Sequence, residues 1–341
     1  MTKRIMDNKN RKVSKVDTSK EKSWSRRGFI REAMSFGGVF AVSGLSVSAA
    51  DNPAVFPKRG QFERLVLNFE TVEIGLEKPF SVLHISDTHL TAAYPHEPGN
   101  IQEMCSRRTQ TFGGRQEEAL QDSLEWAKSH ADYVIHTGDL IDWQSEANFD
   151  LVKKYFGEEM TGCLGNHEYC IDLWNGSEKH TEEWKGLTRK KIQSAYPFNA
   201  SLHSQIVNGV NFVTLDDVYG YVTEGQFVRF REESAKGLPI VLCMHVPFYS
   251  DRIWRTKWHY WGWKGKKFRS ASIPEAAGDC LRQRNDATTQ AFFSYLKKEP
   301  LLKAILSGHL HMAIQDRFSD TAMQYVVGGN FMFHGQEILF V

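Results

Sequence analysis

Asp132-Tyr-Val-Ile-His-Thr-Gly-Asp-Leu-Ile-Asp142 is the stretch of sequence from which the fold can be inferred. Residues 133–135 are apolar and rich in β-forming side chains, which predicts a buried strand. Gly138 permits a tight turn after that strand. Asp139 then stands at the carboxyl end of the strand, where open α/β sheets bind their ligands. Because Gly-Asp pairs are also common in ordinary turns, this stretch alone does not predict a function.

Four other polar motifs follow apolar, strand-like runs in the same way. They are Asp87-Thr88-His89, Gly165-Asn166-His167-Glu168, His245 and Gly308-His309-Leu310-His311. Carboxylates, imidazoles and amide oxygens are ligands of divalent metals. Two such metals about 3.5–4 Å apart can clamp a phosphate and lower the pKa of a bridging water. A single histidine is more often an ordinary core or surface residue, but metal-type side chains at several strand ends predict a metal site.

The segments between these motifs alternate between strands and helices. Helices are predicted over 115–129 and 147–156. Strands are predicted over 65–74, 80–85, 133–135, 160–164, 202–207, 210–215, 238–244, 301–306, 314–318 and 323–327. Asn208-Gly209 suits the type I′ turn of a β-hairpin. Strands that alternate with helices and end in antiparallel pairs predict an α/β sandwich, and no linker divides residues 51–341.

In this order, the motifs resemble those of the calcineurin-like metallophosphoesterases. The matching residues are Asp87-x-His89, Gly138-Asp139-x-x-Asp142, Gly165-Asn166-His167-Glu168, His245 and Gly308-His309-x-His311. The resemblance implies an α/β fold, a four-layer αββα sandwich of two mixed β-sheets flanked by helices. It also implies two divalent metal ions. These could be manganese, iron or zinc, because mixed nitrogen and oxygen ligands suit all three.

The resemblance also implies a role for individual residues. One metal would be held by Asp87, His89 and His311, and the other by Asn166, His245 and His309, with Asp139 bridging both. His167 would be the catalytic imidazole, which protonates the leaving oxygen or stabilises charge on the phosphoryl group. A hydroxide bridging the two metals would be the nucleophile. Asp142 and Glu168 would either orient imidazole or backbone groups or be ordinary surface carboxylates.

Two departures from the family pattern narrow the function. Trp143 follows Asp142 where protein Ser/Thr phosphatases of this family carry an arginine, and Asp142 stands where purple acid phosphatases carry a tyrosine. What remains is a phosphodiesterase or a nucleotide or phosphomonoester phosphatase, with a small phosphate ester as substrate. The alternative is a catalytically inactive, exported ligand-binding protein on the same fold. The complete ligand set argues against that alternative.

Two insertions are expected to decide substrate choice. The first spans about residues 91–114, where Arg107 and Arg108, with Arg115 just beyond, are candidate phosphate-binding residues. The second spans about residues 248–285 and contains the aromatic and basic segment 251–269. That segment predicts a lid that stacks a base, a sugar or an aromatic leaving group and holds an anion. A self-packed surface loop or a contact with anionic lipid are the alternatives.

Residues 1–50 have the pattern of an export signal. Ser25-Arg26-Arg27-Gly28-Phe29-Ile30-Arg31 resembles a twin-arginine motif. The uncharged residues 33–50 are too weakly apolar for a membrane span, and they end in small residues that suit a signal peptidase. A disordered basic tail followed by a helix is the alternative. We therefore expect an exported protein of the bacterial periplasm or cell envelope, with residues 51–341 as the metallophosphoesterase domain and no transmembrane anchor.

Charge and cysteine content add two expectations. Residues 33–341 carry 31 Lys and Arg against 37 Asp and Glu, a formal charge of −6, so nucleic acid is not an expected partner. The five cysteines form an odd set. Cys163 and Cys170 flank the Asn166-His167 turn and could form a disulfide in an oxidising compartment. Buried thiols are the prediction for Cys163 and Cys243.

Overall fold

Two mixed β-sheets form the centre of the structure, a computed structural model that describes residues 62–157, 160–171, 181–260 and 283–341. The first sheet has the order β1-β11-β2-β3-β4. Its strands are β1 Val66–Val72, β2 Phe80–Ile85, β3 Tyr133–Thr137, β4 Met160–Cys163 and β11 His334–Phe340. The second sheet has the order β5-β6-β7-β8-β10-β9. Its strands are β5 Leu202–Val207, β6 Val210–Leu215, β7 Ile240–Met244, β8 Leu302–Ser307, β9 Ile314–Arg317 and β10 Met323–Val326.

Helices flank both sheets. They are α1 Gly99–Thr111, α2 Gln116–His130, α3 Glu146–Tyr155, α4 Glu182–Ala195, α5 Glu224–Ser234, α6 Asp251–Tyr260 and α7 Ala287–Leu296. Several have an N-cap residue whose side chain accepts a backbone N–H of the first turn, such as Ser145 before α3 and Thr223 before α5. None of the helices in the described ranges is long and apolar enough to span a bilayer.

Three apolar layers hold these elements together. In β2, Phe80 and Val82 lie in the core between the two sheets, whereas Leu83 and Ile85 lie in the core under the helices. This alternation follows from the two-residue period of a strand. A third core packs α5 and α7 on the outer face of the second sheet. The predicted αββα sandwich is therefore confirmed.

The parallel strands bring the polar motifs together at the carboxyl ends of the strands. Strands β2, β3 and β4 run parallel in the first sheet, and β6, β7 and β8 run parallel in the second. Backbone hydrogen bonds continue past the strand ends: Asp87 N–H donates to Gly138 O (3.0 Å) and His89 N–H to Asp139 O (2.9 Å). The loops that carry the candidate ligands are thus extensions of the sheets.

Most predicted elements are present, and their ends differ by a few residues. Strand β11 was not predicted, although it lies between β1 and β2 and completes the first sheet. The polar insertion at 91–114 contains α1, and the helices α4 to α7 were not assigned from the sequence. Cys105, Cys163, Cys170 and Cys243 are not in disulfides, so a Cys163–Cys170 bridge is absent. Cys280 and the whole predicted export signal lie outside the described residues.

Candidate metal centre

All seven predicted ligands lie close together, at the carboxyl ends of the parallel strands of the two sheets. In the first group, His311 Nε2 lies 3.0 Å from His89 Nε2 and 3.2 Å from Asp87 Oδ1. In the second group, His245 Nε2 lies 3.2 Å from Asn166 Oδ1 and 3.2 Å from His309 Nδ1. Asp139 Oδ2 lies between the groups, 3.8 Å from His89 Nε2 and 3.2 Å from His245 Nε2. Two clusters of ligand atoms therefore share one carboxylate.

The position of the proton on His245 indicates that the second cluster suits a cation. His245 Nδ1 is 2.7 Å from the carbonyl oxygen of Thr137, which can only accept, so the imidazole proton is on Nδ1. In the neutral ring, Nε2 is then a lone pair that faces the oxygens of Asp139 and Asn166, which are also acceptors. His309 Nδ1, 3.2 Å from His245 Nε2, donates or accepts according to its tautomer. A bound cation would satisfy the lone pairs of His245 Nε2, Asp139 and Asn166 together.

The spacing of these atoms fits a divalent metal. A metal such as zinc binds nitrogen and oxygen ligands at about 2.0–2.2 Å, which places neighbouring ligand atoms about 3.0–3.5 Å apart. The distances of 3.0 and 3.2 Å within the clusters lie in this range. The donor set and its spacing indicate a site for divalent metal ions.

The electrostatics of His245 lead to the same conclusion. Burial by itself would lower the pKa of His245, but the charges of Asp139 and Asp87 outweigh burial and raise the pKa to about 10. The carboxylates thus favour a positive charge at this position, which a proton or a metal ion can supply. Metal binding to such a site releases protons, because imidazole ligands must be neutral.

The backbone at the candidate ligands is strained. Five of the eight described non-glycine residues with positive φ belong to the clusters: Asp87 (53°), His89 (51°), Asp139 (55°), His309 (68°) and His311 (50°). A left-handed conformation costs a residue with a side chain about 1–2 kcal/mol. Strain of this kind collects at functional sites, where the surrounding structure enforces it.

Two glycines allow the loops to approach each other. A Cβ atom at Gly308 would collide with Ser86 Oγ and with the carboxylate of Asp87, and one at Gly165 would collide with Asp139. The motifs Gly308-His309 and Gly165-Asn166 therefore need glycine for close packing against the neighbouring ligand loop.

Glu168 organises the loop that carries Asp139. Its carboxylate is fully buried and accepts the backbone N–H groups of Gly165 (2.7 Å), Asp139 (3.0 Å) and Leu140 (2.8 Å). Burial, followed by the charge of Asp139, raises the pKa of Glu168 to about 7. Asp142 is also fully buried. The alternative that Asp142 and Glu168 are surface carboxylates is therefore wrong, and both orient groups of the centre.

His167 lies beside the first cluster. Its Nδ1 is 2.8 Å from Asp142 Oδ1, and its ring stands edge-on to the ring of His89 with centroids 4.6 Å apart. Burial opposes its protonation, but the charges of Asp139 and Asp142 raise the pKa of His167 to about 10. The side chain keeps 18% exposure. His167 thus lies at the edge of the clusters, beside carboxylates that favour its protonated form.

A family model described as calcineurin-like phosphoesterase matches residues 80–313, which include every candidate ligand. The chain belongs to this family. The match covers more than half of the chain and extends from the start of β2 to the loop after His311. No curated protein sequence matches the chain.

Several solved structures of phosphoesterases are similar to this chain at low sequence identity. A dimetal phosphatase from Danio rerio is 13% identical, with 74% of this chain and 88% of that chain covered and a TM-score of 0.42. A purple acid phosphatase from yellow lupin (Lupinus luteus) seeds is 12% identical (74% and 44% covered, TM-score 0.44). A 5'-nucleotidase from Candida albicans is 11% identical (79% and 48% covered, TM-score 0.38). The chain spans about half the length of the last two, and no substrate carries over from them.

The three arginines of this phosphoesterase that were predicted to bind phosphate have different surroundings. Arg107 is exposed and pairs with Glu103 on its own helix. Arg115 pairs with Glu118, also at the surface. Arg108 points inward and pairs with Asp142. The sequence could not separate the three.

The aromatic and basic insertion is partly described. Ile253 and Trp254 of α6 are buried and pack with Leu310 and Met312, the neighbours of His309 and His311. Trp254 is therefore part of a core rather than free to stack on a substrate. Residues 261–269 of the predicted lid, and residues 270–282 of the same insertion, lie outside the described residues.

Two buried polar residues near the ligands were missed by the sequence analysis. Asp217 Oδ1 accepts the backbone N–H groups of His245 (3.0 Å) and Val246 (3.2 Å). Asn330 accepts from Thr88 Oγ1 (3.1 Å), which lies between Asp87 and His89. Asn330 follows strand β10 and two glycines. The strand-end pattern used for the other motifs could have identified it.

Proposed function

We propose that this protein is a metal-dependent phosphoric ester hydrolase with two divalent ions. The first ion would be held by Asp87, His89 and His311 and the second by Asn166, His245 and His309, with Asp139 shared. The observation that carries the proposal is the set of ligand-type atoms around His245 Nε2. Asp139 Oδ2, Asn166 Oδ1 and His309 Nδ1 each lie 3.2 Å from it, a distance that suits ligands of one metal. Membership of the calcineurin-like family supports it.

When bound, the two cations would stabilise charge on the phosphoryl oxygens and make water a competent nucleophile at neutral pH. The chain's residues do the rest. Asp142 engages His167 at Nδ1 (2.8 Å), so the proton that His167 can donate is on Nε2. His167 would give this proton to the leaving oxygen or stabilise negative charge on the phosphoryl group. General acid catalysis of this kind contributes about 10²–10⁴-fold to the rate.

The substrate we propose is a small phosphate ester, either a diester or a monoester such as a nucleotide. The site lies at the edge of the sheets, and the side chains of His167 and His311 remain 18% and 20% exposed, which leaves access to the clusters. The twin-arginine pattern in residues 25–31 supports export to the periplasm or cell envelope. A fusion of residues 1–50 to a folded reporter would test that export.

Metal content and hydrolysis measured on one sample test the proposal. The protein would be stripped with a chelator, reconstituted with Mn²⁺, Zn²⁺ or Fe²⁺, and assayed with an aryl phosphate monoester and a bis-aryl phosphate diester. About two metals per chain with turnover is the expected result. Two bound metals without turnover on these or on nucleotide substrates would favour the inactive ligand-binding alternative. A folded protein that binds no metal would overturn the ligand assignment.

A further inference from the structure

One face of helix α1 is built against the candidate centre. Met104, Arg108 and Phe112 are spaced four residues apart, so they lie along the same side of the helix and its end. Met104 is fully buried in a cluster with Trp143 and Cys170. Phe112 stacks on the ring of His89, with centroids 4.4 Å apart and an interplanar angle of 11°. The insertion thus contacts a candidate ligand directly.

Arg108 makes the polar contact of this face. Its Nε donates to Asp142 Oδ2 (2.5 Å) and its Nη2 to Asp142 Oδ1 (2.9 Å), a two-point pairing of guanidinium and carboxylate. The Arg108 side chain is 20% exposed, against 62% for Arg107, and the Asp142 side chain is fully buried. Its guanidinium also lies over the ring of Phe112, 4.8 Å from the centroid.

Asp142 connects this arginine to two histidines. Its Oδ1 is 2.9 Å from His89 Nδ1 and 2.8 Å from His167 Nδ1. These contacts place the Nδ1 protons toward Asp142 and leave both Nε2 atoms for the centre. The other oxygen, Oδ2, is held by Arg108. Because a carboxylate can rotate about its terminal bond, the arginine fixes the orientation in which Oδ1 faces both rings.

Arg108 also lies at a third group of metal-type side chains. His89, Asp142 and His167 lie close enough together to hold a cation. The guanidinium of Arg108 already supplies the positive charge there, and Asp142 has both oxygens engaged. The chain therefore places its own cation beside the two clusters.

We propose that Arg108 is a positioning residue of the metal centre, which orients His89 and His167 through Asp142. The first insertion is then a structural part of the centre. This inference rests on the proposed metal site, but it does not require that the bound metals hydrolyse an ester. It differs from a role of Arg108 in binding the substrate phosphate, which would leave metal affinity unchanged.

Metal affinity of paired arginine variants separates these roles. Arg108→Met keeps an apolar stem of similar length, and Arg107→Met is the matched control on the neighbouring, exposed position. Affinity for Zn²⁺ and Mn²⁺ would be measured by competition with a chromophoric chelator, on full-length protein whose folding is checked by circular dichroism. Loss of an outer partner of a metal ligand weakens metal affinity or activity about 10–100-fold. We expect that loss for Arg108→Met and a change below about twofold for Arg107→Met.

The remaining outcomes also decide the inference. Wild-type metal affinity in Arg108→Met, with weaker inhibition by inorganic phosphate or a higher KM, would overturn it in favour of substrate binding. If Arg108→Met does not fold, Arg108→Lys replaces it, since lysine keeps the charge but cannot span both oxygens of Asp142. An intermediate loss of metal affinity is then expected, and wild-type affinity would overturn the inference. A wild-type protein that binds metal but hydrolyses nothing would refute the proposed function, while the affinity comparison would still apply.

Discussion

Helices α1 and α6 border the candidate centre from two insertions, and they contact it by different chemistry. Helix α1 reaches residues of the centre with polar and stacking contacts, through Arg108 and Phe112. Helix α6 packs with apolar side chains, Ile253 and Trp254, against the residues that alternate with His309 and His311. The α6 segment is the conspicuous one in the sequence because it is aromatic and basic. The insertion with the unusual composition is therefore not the one that makes polar contacts with the candidate centre.

The difference predicts separate effects. Changes in α1 should act on the centre itself, through the candidate ligand His89 and the proposed proton donor His167. Changes in α6 should act on substrate binding at the centre. Lys257 of α6 is the residue to examine, because its charge contributes, after burial and the charge of His245, to lowering the pKa of His309 to about 3.

The largest effect is expected from Asp139→Asn, which removes the centre that both helices border. The shared carboxylate contributes to both clusters, so metal content should fall from about two per chain to below one. Turnover should fall by more than about 10³-fold, because several kcal/mol of charge stabilisation are lost with the metals. Metal analysis and steady-state kinetics measure both, with the exposed Asp320→Asn as control. A variant that retains two metals would show that Asp139 does not bridge them.

The next effect concerns the side of the centre that α1 supports. His167→Ala should lower kcat by about 10²–10⁴-fold with unchanged metal content, since it removes the proposed proton donor and none of the candidate ligands. The loss should be greater for esters with poor leaving groups, which need the proton more. A series of aryl phosphates measures this dependence, and His96→Ala on the surface is the control. Equal losses across the series would contradict proton donation by His167.

A smaller effect is expected on the α6 side. Lys257→Met should raise KM about 3–10-fold and leave kcat unchanged, because a partly exposed charge contributes about 1 kcal/mol to an ionic contact. The exposed Arg252→Met on the same helix is the control. Together with Arg108→Met, this variant tests whether α1 and α6 affect different properties of the centre. A fall in metal affinity for Lys257→Met would mean that both helices support the centre in the same way.

A last effect concerns stability rather than activity, and it is expected at His136 in strand β3. Burial lowers the pKa of His136 to about 3, and its Nε2 bonds to Thr88 Oγ1 (2.9 Å). The unfolded chain binds this proton below about pH 6.5, so the contribution to stability is present above that pH and is lost as the pH falls toward 3. Relative to His136→Gln, the unfolding free energy of the metal-free wild type should fall by about 1.4 kcal/mol per pH unit in that window.

Urea unfolding with a chelator present, at pH 7.0, 6.0 and 5.0, measures this difference. The same slope is expected in Arg108→Met and Lys257→Met, because neither helix contacts His136 through these residues. A slope that depends on either variant would show that the helices alter the strands as well as the centre.

The sequence predicted the strands that their own residue pattern identifies. Strand β2 and the hairpin β5–β6 have the predicted ends because their apolar pattern and the Asn208-Gly209 turn are sufficient. Strand β11 could not be found in this way. It buries Gln336 and Glu337, and it pairs in parallel with β1, which lies more than 250 residues earlier in the chain. Only the assembled sheet supplies that partner.

In the candidate site too, the sequence does not show contacts between distant parts of the chain. The predicted ligands each follow a strand, so the sequence could place them together. It could not choose Arg108 over Arg107 and Arg115, because the direction of α1 is set by Met104, which packs on Trp143 from another part of the chain. Nor could it show that Trp254 is buried, since the residues that cover it come from the loop around Leu310.

The left-handed backbone of five candidate ligands has a consequence for how this sequence can diverge. At Asp87, His89, Asp139, His309 and His311 the chain carries side chains in conformations that glycine and asparagine adopt at lower cost. If these residues hold the proposed metals, selection for catalysis would keep them, whereas selection for stability alone would oppose them. A descendant released from catalysis would therefore drift toward glycine or asparagine at these five positions first. The fold would become more stable as the enzyme was lost, and those substitutions would mark the lineages in which that happened.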